Sequence, residues 1–182
     1  MVELGEWKKK RDTIRHYDRL ANAYETLYRD EQNLKIRLAL EAIKVGSSDI
    51  VLDVGCGTGF LFDYIGNSVD FVVGVDLSLG LLKVAADRYK CQPKMSSICL
   101  VRGDADYLPF QKKVFDKVFM FTLLQNMIDP NKALREMVRV AKTGLTIVVT
   151  GLKKSFSEEG FNNILIKAGL KSIILILREQ VK

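Results

Sequence analysis

The stretch Val51-Leu52-Asp53-Val54-Gly55-Cys56-Gly57-Thr58-Gly59-Phe60 sets an acid and three glycines behind an apolar run. Glycines at 55, 57 and 59 remove side chains where a ligand must lie against the backbone, and they admit positive φ. Asp53 adds a carboxylate just before that bare loop. A dinucleotide site would space its glycines GxGxxG and seat a pyrophosphate on a helix N-terminus. Here the third glycine comes one place early, and the preceding carboxylate suits a cationic ligand better than a pyrophosphate.

Other chemistries are limited by residue supply. His16 is the only histidine, which excludes a multi-histidine metal site and any Ser-His-Asp triad not built on it. Cys56, Cys91 and Cys99 form no CxxC pair, so no zinc site is expected. Sparse, odd-numbered cysteines suit a reducing compartment, and the expected location is the cytoplasm.

The glycine loop needs a strand before it and a helix after it, and the sequence supplies that rhythm repeatedly. Short, apolar, often β-branched runs predict strands at Ile50–Asp53, Phe71–Val75, Ile98–Arg102, Lys117–Phe121, Leu145–Thr150 and Ser172–Leu177. Between them, helices are predicted at Phe60–Ile65, Ser78–Tyr89, Asn131–Ala141 and Ser157–Ala168, with Ser78 and Ser157 as N-caps and Gly169 as a stop. Upstream, apolar residues recur in steps of three and four from Ile14 to Val45, so residues 8–45 read as helical. The predicted fold is α/β, a doubly wound, mostly parallel sheet with helices on both faces. It is expected as a single domain over 1–182, with an N-terminal helical extension at 1–45 and an α/β core at 46–182.

The chain has 182 residues, 48% of them hydrophobic and spread along its length, enough for a packed core. No apolar run approaches the ~20 residues of a membrane span, and residues 1–20 lack the apolar centre of a signal peptide. The net charge of +6 favours an anionic partner such as RNA, or simply solubility.

Four motifs in order resemble the class I S-adenosylmethionine-dependent methyltransferases, a Rossmann-like family; the pattern is similar to the branch that includes ubiquinone-biosynthesis enzymes. The first is Val51–Gly59. The second is Val72-Val73-Gly74-Val75-Asp76-Leu77-Ser78, the third Arg102-Gly103-Asp104-Ala105-Asp106-Tyr107-Leu108-Pro109-Phe110, and the fourth Val114-Phe115-Asp116 running to Met127. Lys132–Lys142 matches the helix that precedes the fifth strand. The resemblance implies S-adenosylmethionine as cofactor and S-adenosylhomocysteine as product. It places Asp53, Gly55, Cys56, Gly57 and Gly59 against the cofactor. Asp76 would accept both ribose hydroxyls, a fork of acceptors for two donors. Leu77 would pack on the adenine, Asp104 would accept from its amine, and the Ala105 N–H would meet a ring nitrogen. The carbonyl of Thr122 would accept from the ligand's ammonium. Tyr24 belongs to a segment similar to the family's tyrosine-rich prelude, Tyr17-Asp18-Arg19-Leu20-Ala21-Asn22-Ala23-Tyr24-Glu25, and would meet the methionine end.

No catalytic base stands out, and the N-P-P-Y type of signature is absent. Leu124-Gln125-Asn126-Met127 is closer to the L-R-N-V of quinone-biosynthesis methyltransferases. Gln125 and Asn126 would orient a substrate, or else cap the following helix. The leading expectation for the acceptor is RNA or a translation-related protein, because Lys8, Arg11, Arg15 and Arg19 share one helical stripe. The alternatives are a small quinone or lipid precursor, and a SAM-binding subunit without turnover. Few residues follow the sixth strand, so the family's terminal β-hairpin is expected to be incomplete. Its edge would then be covered by a second copy or a small companion subunit.

Overall fold

A computed structural model describes residues 4–90, 97–152, 154–169 and 173–178. Two helices, α1 (Leu4–Leu20) and α2 (Tyr24–Ala42), precede β1 (Ile50–Val54), α3 (Phe62–Ile65), β2 (Phe71–Asp76), α4 (Leu79–Tyr89) and β3 (Ile98–Arg102). β4 (Phe115–Met120), α5 (Pro130–Val140), β5 (Ala141–Leu152), α6 (Glu158–Lys167) and β6 (Ile173–Arg178) follow. The strands form one sheet in the order β3-β2-β1-β4-β5-β6, with every pair parallel.

The period-two alternation of the strands sorts the core into two layers. Leu52, Val54, Val73, Val75, Val118 and Met120 face Leu134 and Met137 of α5 and Phe161 and Leu165 of α6. Val51, Val72, Phe119 and Val148 face Ile36 of α2, Phe62 and Ile65 of α3, and Leu82 of α4. Both faces are covered, as a parallel sheet requires. The chain order reverses between β1 and β4, so the crevice for a ligand opens beyond the C-terminal ends of those strands.

Caps fix the helices as the sequence predicts. Ser78 Oγ accepts from Leu81 N at 3.1 Å, Ser157 Oγ accepts from Gly160 N at 3.1 Å, and Gly169 has φ +80°. Asp129 caps α5 ahead of Pro130.

Three local readings change. The helical stretch read over 8–45 forms two helices, α1 and α2, parted at residues 21–23. Here α1 presses on the start of α4: a Cβ on Gly80 would lie 3.0 Å from Asp18 Cα and 3.2 Å from Ala21 Cβ. That close approach turns the chain where the apolar period alone would have continued it. The fourth strand stops at Met120 because Thr122 takes φ +56°. The fifth starts at Ala141, before its register with β4 shifts between Phe115 and Lys117. The sixth strand pairs directly and parallel with β5, from Ile147↔Ile173 to Leu152↔Arg178. Among the described residues no antiparallel strand joins the sheet, and β6 is its outer edge. Ser172 and residues 179–182 lie outside the described residues, as does Cys91.

Packing between the sheet and α3 is tight at Gly74, in the middle of β2. A Cβ there would lie 2.6 Å from Phe62 Cζ and 2.8 Å from Cys56 Sγ. Gly74→Ala is expected to cost about 1–3 kcal/mol of stability through overpacking. Urea unfolding checks this as a lower midpoint with an unchanged slope.

Candidate functional site

Beyond the ends of β1, β2, β3 and β4 lies a cleft of about 850 Å³, its open mouth included. Tyr24, Gly55, Asp76, Leu77, Asp104, Ala105, Thr122 and Asn126 line it, so eight of the sequence-predicted residues meet at one place. Its roof is α1, which contributes Lys9, Lys10, Thr13, Ile14 and Tyr17. Asp53 and Cys56 line a smaller neighbouring cavity with Gln32 and Phe60. Tyr24, Gly55 and Phe121 border both cavities, so the Tyr24 ring helps partition them.

The glycine loop is shaped by three left-handed turns, at Gly55, Gly57 and Gly59. Their surroundings differ. A Cβ on Gly57 would meet Tyr24 Cε1 at 3.4 Å, on the cleft side. One on Gly59 would lie 2.7 Å from Phe62 and 3.0 Å from Tyr89, so Gly59 serves packing beneath the loop. Cys56 is buried, its sulfur set against the Gly74 backbone.

Asp76 ties this loop to β2. Its Oδ2 accepts from Gly57 N at 2.9 Å and its Oδ1 from Ser78 N at 2.8 Å. Each oxygen keeps a further lone pair for a donor in the cleft. Burial raises the Asp76 pKa, and these backbone bonds work against that rise. Asp53 has no such relief. It is 3% exposed, and burial, with the charge of Asp76 beside it, pushes its pKa up to about 8.

At the opposite end, Asp104 Oδ1 accepts from Asp106 N at 3.0 Å, while Asp104 Oδ2 accepts from Lys10 Nζ at 2.7 Å. Lys10 also donates to Asp106 Oδ2 at 2.5 Å. Burial works to lower the Lys10 pKa, but the two carboxylates outweigh it and the value lies above the usual lysine range. The loop carrying Asp104 and Ala105 is held from below by α5. Glu136 Oε2 accepts from Leu108 N at 2.8 Å, and Arg139 donates to Leu108 O at 2.9 Å and Phe110 O at 2.7 Å.

Thr122 is a non-glycine residue in the left-handed region, an uncommon conformation. Thr122 N donates to Thr150 Oγ1 at 2.9 Å, and its hydroxyl accepts from Lys35 Nζ at 2.8 Å and Gln32 Nε2 at 3.2 Å. Lys35 is buried. Desolvation lowers its pKa, against the opposing effect of its 2.5 Å bond to Glu31. The Thr122 carbonyl already accepts from Gln125 Nε2, so Gln125 stabilises this turn. Asn126 instead reaches into the cleft, donating from Nδ2 to the Tyr17 hydroxyl at 2.8 Å.

Lys10, Gln32 and Lys35 escaped the sequence reading. For Lys10 a signal existed. It stands one turn before Ile14 and two before Tyr17, on the inward face of α1, opposite the exposed stripe of Lys8, Arg11, Arg15 and Arg19. Lys35 and Gln32 gave none, because their partner Thr122 is distant in sequence.

Residues 52–149 match the family model described as a methyltransferase domain. The chain belongs to the S-adenosylmethionine-dependent methyltransferase family. A demethylmenaquinone methyltransferase of Mycobacterium marinum is 33% identical over 146 residues, 78% of this chain and 60% of that protein. A solved SAM-dependent methyltransferase from Aquifex aeolicus shares the fold, with TM-score 0.66 and 22% identity over 74% of this chain and 78% of that one. So does a complex of the Haloferax volcanii Trm112 methyltransferase activator with a second protein, with TM-score 0.65 and 24% identity over 72% and 57%. The chain spans between 49% and 64% of the length of the first curated relatives it matches.

Acid is concentrated here: Asp76 and Asp104 line the cleft, and Asp53 lines the cavity beside it, so a cationic ligand would find its charge matched. The sign of the Asp53 shift fixes a pH dependence. Between its ordinary 3.8 and about 8, the folded state holds a proton that the unfolded state has lost. Asp53 therefore subtracts stability as pH rises through that window, and nothing further above it. A cationic ligand prefers the ionised form, so SAM affinity should rise with pH across the upper part of the window. Asp53→Asn is expected to flatten both slopes. Urea unfolding and calorimetric SAM titration across this pH range check it, and unchanged slopes would refute the assignment.

Proposed function

We propose that this chain transfers the methyl group of S-adenosylmethionine to a small, largely apolar acceptor of the quinone-precursor kind. The observation that carries the reading is the wall of the cleft. Ile14, Tyr17, Leu123, Met127 and Ile128 line it, whereas Lys8, Arg11, Arg15 and Arg19 are exposed on the outer face of α1. The named quinone methyltransferase at 33% identity supports it.

When bound, the cofactor supplies an already activated methyl group. The protein's share is binding and orientation. Asp76 would take the ribose hydroxyls on the lone pairs left free by Gly57 and Ser78. Asp104 would accept from the adenine amine, beside the Ala105 N–H, which has no partner among the described residues. Leu77 would pack along the base. Gly55, Gly57 and Tyr24 would bound the methionine end, and ionised Asp53 would balance its positive charge. Thr122 would offer the second lone pair of its carbonyl. Asn126, held by Tyr17, is placed to orient the acceptor. We assign no general base, so catalysis would rest on alignment of acceptor and methyl group at near-attack distance.

A second reading, an RNA or translation-protein acceptor, is supported by the same four exposed cations, spaced to track phosphates on one face of α1. We also propose that residues 1–45 and 46–182 work as one domain, since α1 and the sheet build one cleft. A companion subunit is proposed to cover β6, the sheet edge, supported by the fold's occurrence in a complex with an activator. A cytoplasmic location is supported by Cys56 and Cys99, both free thiols. Among the described residues no helix is long and apolar enough to cross a membrane.

Radiolabelled SAM incubated with host lysate and purified protein decides the acceptor. Solvent-extractable label is expected. Nuclease-sensitive or protease-sensitive label would overturn the small-molecule reading, and SAM binding without any transfer would favour a non-catalytic subunit. Asp76→Ala should weaken SAM binding by tenfold or more, the effect of losing charge-assisted bonds of about 1.5–3 kcal/mol each. Calorimetric titration checks this, and unaltered affinity would sink the ribose assignment.

A further inference from the structure

We propose that Lys10 is a positioning residue for cofactor recognition, fixing Asp104 as the reader of the adenine amine and fastening helix α1 over it. This deepens the cofactor reading above and rests on it. Lys10 is 7% exposed, although it sits within a run of four consecutive cations whose other members are exposed. Its ammonium spans Asp104 Oδ2 at 2.7 Å and Asp106 Oδ2 at 2.5 Å. Two carboxylates two residues apart would otherwise repel each other, and Asp104 would keep only the Asp106 N–H to set its direction. Bridged by one cation, both face α1, with Asp104 Oδ1 fixed by Asp106 N at 3.0 Å. Asp104 thus becomes an acceptor of set direction that still holds unused lone pairs.

The same bond makes Lys10 the roof's anchor at this end of the cleft. Glu6 extends the clasp to Lys132 of α5 at 2.9 Å. At the far end α1 is held separately, by Asp18 on Ser78 Oγ at 2.6 Å and Gly80 N at 2.8 Å, and by Tyr17 on Asn126 at 2.8 Å. Loss of Lys10 should therefore leave α1 docked at that far end while loosening it over Asp104.

The test uses S-adenosylhomocysteine, which binds without turnover, and its 6-oxo analogue S-inosylhomocysteine, which lacks the amine that Asp104 would read. Calorimetry on the wild-type chain should show the adenine compound binding at least tenfold tighter. In Lys10→Met that preference should fall several-fold, leaving only the part set by the Ala105 N–H, which meets an acceptor nitrogen in adenine and a protonated one in the 6-oxo base, and S-adenosylhomocysteine should weaken more than its analogue. Lys10→Arg, which keeps a bridging cation, should restore most of the preference, and it serves as the test if Lys10→Met does not fold. A merely structural lysine would weaken both ligands equally. An unchanged ratio in Lys10→Met, or no difference between Met and Arg at this position, would overturn the proposal. Wild-type protein that binds neither compound would overturn the cofactor reading itself, and this role with it. Wild type that binds both equally would overturn only the role of Asp104 and Lys10.

Discussion

Two carboxylates near the ends of neighbouring strands, one buried and one half-buried at the cleft, set the terms for the rest of this protein. Asp53 of β1 and Asp76 of β2 lie on adjacent chains of a parallel sheet, and burial pushes the pKa of each upward. Left alone, such a pair is a liability, since desolvated charge must be matched or neutralised. The two acids take different solutions. Asp76 recruits backbone N–H groups from the glycine loop and from the start of α4. Asp53 keeps its proton up to about pH 8 and waits for positive charge. The glycines follow from this. Gly57 takes the left-handed turn, φ +56°, that brings its N–H onto Asp76, a conformation glycine adopts without strain.

The cleft is completed by elements outside the family match, which spans residues 52–149. α1 supplies its roof, and α2 supplies Tyr24 to its wall, Gln32 to the neighbouring cavity and Lys35 to the support of Thr122. The roof is held by polar bonds at its ends and by few apolar contacts in between. The clasp at the Lys10 end is buried and charge-assisted, so α1 is fixed over the cleft by a few directional bonds, while the sheet beneath it is fixed by packing.

The strands, their order of appearance and the glycine loop could be read from the sequence, because each depends on local composition: β-branched runs, alternate glycines, Ser caps. The acids at 53, 76 and 104 followed from motif spacing and do converge on neighbouring cavities. What could not be read depends on contacts between distant segments. The break at residues 21–23 comes from the approach of α1 to Gly80, some sixty residues further on. Lys10 looked like one of several surface cations because its partners lie in a loop more than ninety residues away. The Glu136 and Arg139 pair, recognisable as part of a family pattern, acts here on the Leu108–Phe110 backbone, so its contribution is to hold the Asp104 loop in place.

Thr122 shows how much structure stands behind one backbone angle. A β-branched residue at φ +56° is disfavoured by about 1 kcal/mol or more, and such strain persists only where its surroundings over-determine it. Four side chains do so here. Thr150 takes its N–H, Lys35 and Gln32 hold its hydroxyl, and Gln125 donates to its carbonyl. Lys35 is brought into a buried position to make its bond, and Glu31 offsets the charge. An arrangement that buries a lysine to hold one threonine is not needed to end a strand, since a glycine would turn the chain without strain. It fixes the direction of the chain where β4 enters the cleft, and with it the placement of Leu123 and Asn126 on the cleft wall. Rigidity at that wall is what methyl transfer without an assigned base requires, because alignment of the acceptor is then the main contribution left for the protein to make.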